Sequence, residues 1–203
     1  MDKKKTLYLI GSLRNKDIPH LAKKLREETK LEIFDDWFSP GPEADDFWRD
    51  FEKVRGSSYK EALNNWAAKH VYYFDKEHID RSNFGVLVMP AGKSGHLELG
   101  YMIGAGKTCY ILFEEEPERW DVMYQFAKDI FFSVDELIAQ LKKDMEILEV
   151  SKEEKEDLML QKIVDVINYN RKTLGDLPLT VADLKSKYNS FCTRTTLSDL
   201  TQL

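Results

Sequence analysis

The chain has 203 residues, 42% of them hydrophobic and four of them Trp, which is ample for a packed core and excludes a chain disordered throughout. Its net charge of −6 argues against a nucleic acid polymer as main partner, because a phosphate backbone needs a basic surface, although a locally positive pocket can still take a free nucleotide. Cys109 and Cys192 give neither a disulfide framework nor zinc-ligand spacing, and no apolar run reaches membrane-spanning length.

Lys3-Lys4-Lys5 leads straight into a strand without a signal-peptide core, so a soluble, cytoplasmic protein is expected. Thr6 to Ile10 reads as a short strand ending at Gly11-Ser12, Pro19 to Thr29 as a helix and Leu31 to Phe34 as a second strand. From Asp35 to Gly56 the chain turns aromatic and rich in Pro and Gly, which reads as a functional loop followed by a short helix. A long helix is expected from Tyr59 to Ile79, a third strand at Gly85 to Met89, a helix at His96 to Ala105 and a fourth strand at Cys109 to Phe113. Pro117 to Lys128 reads as helical, and Ile130 to Phe132 as a last strand. Ser133 to Leu148 reads as a helix with a Ser133…Glu136 capping box. Ser151 would open another helix, ended by Gly175 to Pro178, and Thr180 one more. The alternation predicts an α/β fold with a doubly wound parallel sheet of about five strands. Residues 1–150 form the α/β domain and 151–203 a helical C-terminal extension, whose amphipathic spacing suits packing or subunit contact.

Three motifs fail on spacing. Gly104-Ala-Gly106-Lys107-Thr108 resembles the end of a triphosphate loop, but Gly100 is one residue too far upstream and the segment precedes a strand. No G-x-G-x-x-G follows the first strand, and His20, His70, His78 and His96 lack metal-ligand spacing, so no cofactor or metal is expected. The informative stretch is Phe84 to Gly104: a buried strand, a Gly/Ser loop, then a helix with Glu98 expected in its first turn. Such a crevice offers backbone N–H groups to an anion or a sugar, and the helix dipole would keep Glu98 ionised as a nucleophile. Asp75 follows three aromatics, an apolar setting that raises a carboxyl pKa, although alone it also fits a surface Asp near a helix end. Tyr8 alone fits a core aromatic. The Asp35 to Trp48 segment, with Trp37, Phe38 and Trp48, is either a lid that stacks on a base, with Asp36 reading base edges, or an ordinary packed loop.

Together, Tyr8-Leu-Ile-Gly-Ser, Asp75 eight residues before Asn83, and Leu97-Glu-Leu-Gly-Tyr101 resemble the nucleoside 2-deoxyribosyltransferase family and the related nucleoside 5′-monophosphate N-glycosidases, over roughly residues 5 to 148. The resemblance implies a flavodoxin-like fold, a homo-oligomer with sites near subunit interfaces, and a small nucleoside or nucleotide as partner. By the resemblance, Glu98 is the nucleophile toward C1′ of the sugar, Asp75 the acid that protonates the departing base, and Tyr8 the hydroxyl that orients Glu98. Asp121 falls near where the family places an Asn from a neighbouring subunit. A family carboxylate ahead of the Gly/Ser loop has no equivalent, since Gly92 or Lys93 stands there. Gly11-Ser12-Leu13-Arg14 is similar to the phosphate-holding stretch of the nucleotide-cleaving relatives, and Lys93, Ser94 and Gly95 would complete such a pocket. The resemblance thus implies cleavage of the N-glycosidic bond of a nucleoside or its 5′-monophosphate through a covalent glycosyl-Glu98 intermediate, with transfer to a second base or to water, and this stretch favours the nucleotide. Two other readings stay open on the same crevice: a nucleotide sensor without turnover, and a nicotinamide-dinucleotide glycohydrolase.

Overall fold

The structure, a computed structural model, describes residues 4–174, 180–183 and 186. It divides into two compact units, Met1–Lys142 and Lys143–Leu203. In the first, five strands form one sheet: β1 (Thr6–Ile10), β2 (Glu32–Phe34), β3 (Phe84–Val88), β4 (Thr108–Leu112) and β5 (Asp129–Phe131). Their order is β2-β1-β3-β4-β5 and every pairing is parallel. This is the flavodoxin-like order, whose chain reverses direction between β1 and β3. All five residues of β1 and of β3 are buried, which explains why these strands read as unbroken apolar runs.

Helices α1 (Ile18–Glu28), α2 (Ala44–Val54), α3 (Tyr59–Ala62), α4 (Trp66–Arg81) and α5 (Lys93–Gly104) connect the strands. Right-handed crossovers put α1 on one face and α4 and α5 on the other. Side chains alternate along a strand, so Tyr8 and Ile10 share the face that carries Ile79 of α4 and Leu99 and Met102 of α5, in one buried cluster. Gly85 pairs with Tyr8 across β1 and β3. A Cβ there would lie 2.8 Å from Met102 Sδ and 3.0 Å from Cys109 Sγ, so the glycine lets α5 lie close to the sheet beside Tyr8.

Several boundaries depart from the sequence reading. The expected helix over Tyr59–Ile79 is two helices, because Asn65 is extended (ψ 162°) and its Nδ2 donates to Glu52 Oε2 at 2.7 Å. Only Val122–Phe126 of the 117–128 stretch is helical, as a short 3-10 turn. Trp120, Val122, Met123 and Phe126 stay exposed there, so no buried face supports a longer helix. Ser151 does not open a new helix: α6 is helical from Val134 to Leu174, and the Ser151 hydroxyl donates back to Leu148 O at 3.2 Å. At Thr180 the expected start is present, with Asp183 N donating to Thr180 Oγ1 at 3.1 Å. Gly175 to Pro178 and Cys192 lie outside the described residues. No helix among the described residues is long and apolar enough to cross a membrane.

Candidate active site

Three elements bring Tyr8, Asp75 and Glu98 into electrical contact. Tyr8 points from β1 toward α4 and α5, Asp75 lies on α4 and Glu98 on α5. Burial raises the Tyr8 hydroxyl pKa far above its ordinary value, and the charges of Glu98 and then Asp75 add to that rise. Burial also pushes Glu98 up to about 7, with the Asp75 charge as the second cause. Asp75 rises to about 6, again through burial, opposed by the positive charge of His78. Its Oδ1 is buried with no hydrogen-bond partner among the described residues.

The position of Glu98 is a correction to the sequence reading. With Gly92 as N-cap, α5 begins at Lys93, so Glu98 is its sixth residue and sits in the second turn. The dipole's effect fades beyond the first turn, and burial then dominates. Burial thus raises both carboxyls, and the coupled pair titrates between about 6 and 7, so the dipole does not keep Glu98 ionised as the sequence reading expected. The Gly/Ser segment belongs to the helix because Gly95 is packed tightly. A Cβ on it would lie 3.1 Å from Leu87 Cδ1 and 3.2 Å from Ile10 Cγ2.

Two residues that the sequence reading passed over support the cluster. The His78 ring stacks on Phe34 (centroids 3.9 Å apart, planes 17°), and Phe34 stacks on Tyr8 at 5.1 Å. His78 Nδ1 donates to Phe74 O at 2.8 Å, which fixes the ring's orientation. The signal available in sequence was its place three residues after Asp75, one helical turn along the same face.

The remaining expected residues are distributed as follows. Gly11 is a packing glycine, since a Cβ there would lie 2.6 Å from Ile18 Cδ1 and 3.2 Å from Trp37 Cη2. Ser12 Oγ accepts from Arg14 N at 3.2 Å, which shapes the turn after β1. Arg14 is paired: its Nη2 donates to Asp46 Oδ2 of α2 at 3.1 Å. Trp37 is anchored, its Nε1 donating to Leu9 O at 2.7 Å, one residue beyond the β1–β2 pairing, so it is a fixed wall at the sheet end. Asp36 is exposed beside it, and Ser94 is exposed on the first turn of α5. Asp121 caps the 3-10 turn, its Oδ1 accepting from Met123 N at 3.0 Å.

Open space lies near some of these groups. A concavity of about 970 Å³ is lined by Trp120, Asp121, Tyr124 and Phe132, among others, and not by the carboxylate cluster. A smaller one of about 610 Å³ is lined by Ala91, Gly92, Lys93, His96 and Leu97, along the start of α5. We place the site at the carboxylates despite the larger space elsewhere, because coupled, desolvated titratable groups mark chemistry better than volume does. No cluster of His, Cys, Asp and Glu suited to a metal ion occurs among the described residues.

Fold and cluster together define a flavodoxin-like α/β protein with two half-buried carboxyls, on α4 and α5, beside buried Tyr8 of β1. No family model and no curated protein matches the chain. Among solved structures it is similar to a 2-deoxyribosyltransferase of Bacillus psychrosaccharolyticus, with 17% identity over 66% of this chain and 90% of that one and a TM-score of 0.44. It is also similar to a CMP N-glycosidase of Clostridium botulinum, with 15% identity over 68% of this chain and 98% of that one and a TM-score of 0.41. Both names agree with the family that the sequence resembles. Likeness at this level carries no conclusion about chemistry, for which the side chains above are the basis.

Proposed function

We propose that the protein cleaves the N-glycosidic bond of a nucleoside or its 5′-monophosphate, with the sugar passing through a covalent link to Glu98. The observation that carries this reading is the electrostatic coupling of half-buried Glu98 and Asp75 to each other and to buried Tyr8. As the C1′–N bond breaks, positive charge grows on the sugar, and a carboxylate beside it stabilises and then captures C1′. Asp75 gives its proton to the departing base nitrogen. A second base or a water then attacks C1′, the Glu98 ester bond breaks, and the incoming nucleophile's proton goes to Asp75.

Substrate decides which carboxyl of the coupled pair keeps the shared proton. A base placed against Asp75 removes more water from it and raises its proton affinity. Cationic character at C1′ favours the anion of Glu98. Between pH 6 and 7 the pair is already close to sharing one proton. Tyr8, whose proton is held to very high pH, serves as a neutral hydroxyl facing both groups. Exposed apolar residues such as Trp66, Leu97 and Trp120 suit the oligomer that the resemblance implies.

The test is a panel of nucleosides and nucleotides incubated with the protein, with and without an acceptor base. Base release or base exchange that disappears in Glu98→Ala supports the reading. Release that persists in Glu98→Ala refutes it, as does the absence of turnover with every substrate.

A further inference from the structure

We propose that the outward face of α2 is an interface for a second copy of this chain, with the two α2 helices packed antiparallel about a two-fold axis. An amphipathic helix at the surface of a globular domain turns its apolar stripe to the core. In α2 the stripe is Phe47, Phe51 and Val54, at i, i+4 and i+7, and these residues are 66%, 55% and 89% exposed. The one buried residue of α2 is Glu52. Its Oε2 accepts from Asn65 Nδ2 at 2.7 Å, and its main-chain carbonyl accepts from Ser57 N at 3.0 Å. Polar bonds to the cap of α4 and to the turn before α3 thus hold the helix with its apolar stripe in solvent.

Size and charge both favour a second copy as the occupant. Tyr59 of α3, 73% exposed, joins the patch through its edge contact with Trp48, ring centroids 6.5 Å apart. An aromatic side chain carries about 150–250 Å² of surface, so these four exposed residues present roughly 500 Å² per copy before any polar rim is counted. One side of a stable interface takes about 800 Å². The helix is also complementary to itself in charge, with Asp45 and Asp46 in its first turn and Lys53 in its last. Asp46 and Lys53 lie on the same flank of the stripe, so antiparallel packing sets each against the other in the opposite copy. It also sets Phe47 against Val54 of the other copy and brings the two Phe51 rings together near the axis. Asp50, close to that axis, is paired within its own chain by Arg49 Nε at 2.8 Å. Parallel packing would instead set acid against acid, and an anionic membrane would meet Asp46 and Asp50 beside the stripe.

The test combines sedimentation equilibrium of the full chain with thiol cross-linking. The unmodified protein should sediment as a dimer or a multiple of one, and Phe51→Asp at half that mass with an unchanged circular dichroism spectrum. Under mild oxidation Phe51→Cys should give a disulfide joining position 51 of two copies, read by peptide mass spectrometry. Phe47→Cys should not link to itself, because position 47 of the two copies would lie about 10 Å apart along the axis. An equal mixture of Phe47→Cys and Val54→Cys should link. A monomeric unmodified protein, undiminished mass in Phe51→Asp, or self-linking of Phe47→Cys would overturn the proposal. So would flotation of the unmodified protein with phosphatidylglycerol vesicles that Phe51→Asp abolishes, which would assign the stripe to a membrane surface.

Discussion

Replacing Glu98 with Gln should stabilise the fold at alkaline pH while removing activity. Burial raises the Glu98 pKa from 4.5 to about 7. The folded chain therefore holds this proton more tightly than the unfolded chain does. The associated stabilisation is fully present below pH 4.5 and is lost as pH rises through about 7. Each pKa unit is worth about 1.4 kcal/mol, so an ionised Glu98 costs the fold about 3 kcal/mol at pH 8. Glutamine keeps the size and polarity of the neutral acid and avoids that cost. With a urea slope of about 1–3 kcal/mol/M, the midpoint of Glu98→Gln should exceed that of the unmodified protein by about 1–3 M at pH 8. At pH 4 the two midpoints should coincide, since both side chains are then neutral. Taking the difference between proteins at each pH cancels the other titrating groups. A gap of the same size at both pH values, or none at pH 8, would show that Glu98 is not desolvated in the folded chain.

Asp75→Asn should slow base release by about 10²–10⁴-fold, the usual contribution of a positioned acid, and should abolish the pH-rate limb near 6; an unchanged pH profile would remove Asp75 from the chemistry. Trp37→Phe deletes the donor to Leu9 O and should cost about 1–2 kcal/mol in urea unfolding. No loss would mean that the indole N–H does not hold the segment after β2 in place. Gly85→Ala should cost about 1–3 kcal/mol by driving Met102 Sδ away from the sheet. Combining it with Met102→Ala should recover part of the loss, and full additivity of the two would contradict the close approach of α5 to β3.

Strands β1, β3 and β4 were legible because a parallel strand covered on both faces must be apolar at every position. The trio Tyr8, Asp75 and Glu98 was legible only as a resemblance. What places them together is the register of β1 against β3 and the approach of α5, both tertiary. The start of α5 was hidden by its own composition. Gly92-Lys93-Ser94-Gly95 reads as a loop on helix propensity, but Gly95 lies in the helix because it must fit against Leu87 and Ile10. That three-residue error placed Glu98 within the dipole's reach, whereas it lies in the second turn, where burial raises its pKa instead. Trp37 was opaque, because its partner is a main-chain carbonyl that any residue at position 9 would supply.

Acid quenching during turnover of a cleaved nucleoside, followed by peptide mass spectrometry, addresses the covalent step directly. A pentose adduct on the peptide that carries Glu98, absent when the nucleoside is omitted, is the predicted result. Base release at full rate with that peptide unmodified, or with the sugar attached to a different side chain, would contradict the assignment of Glu98.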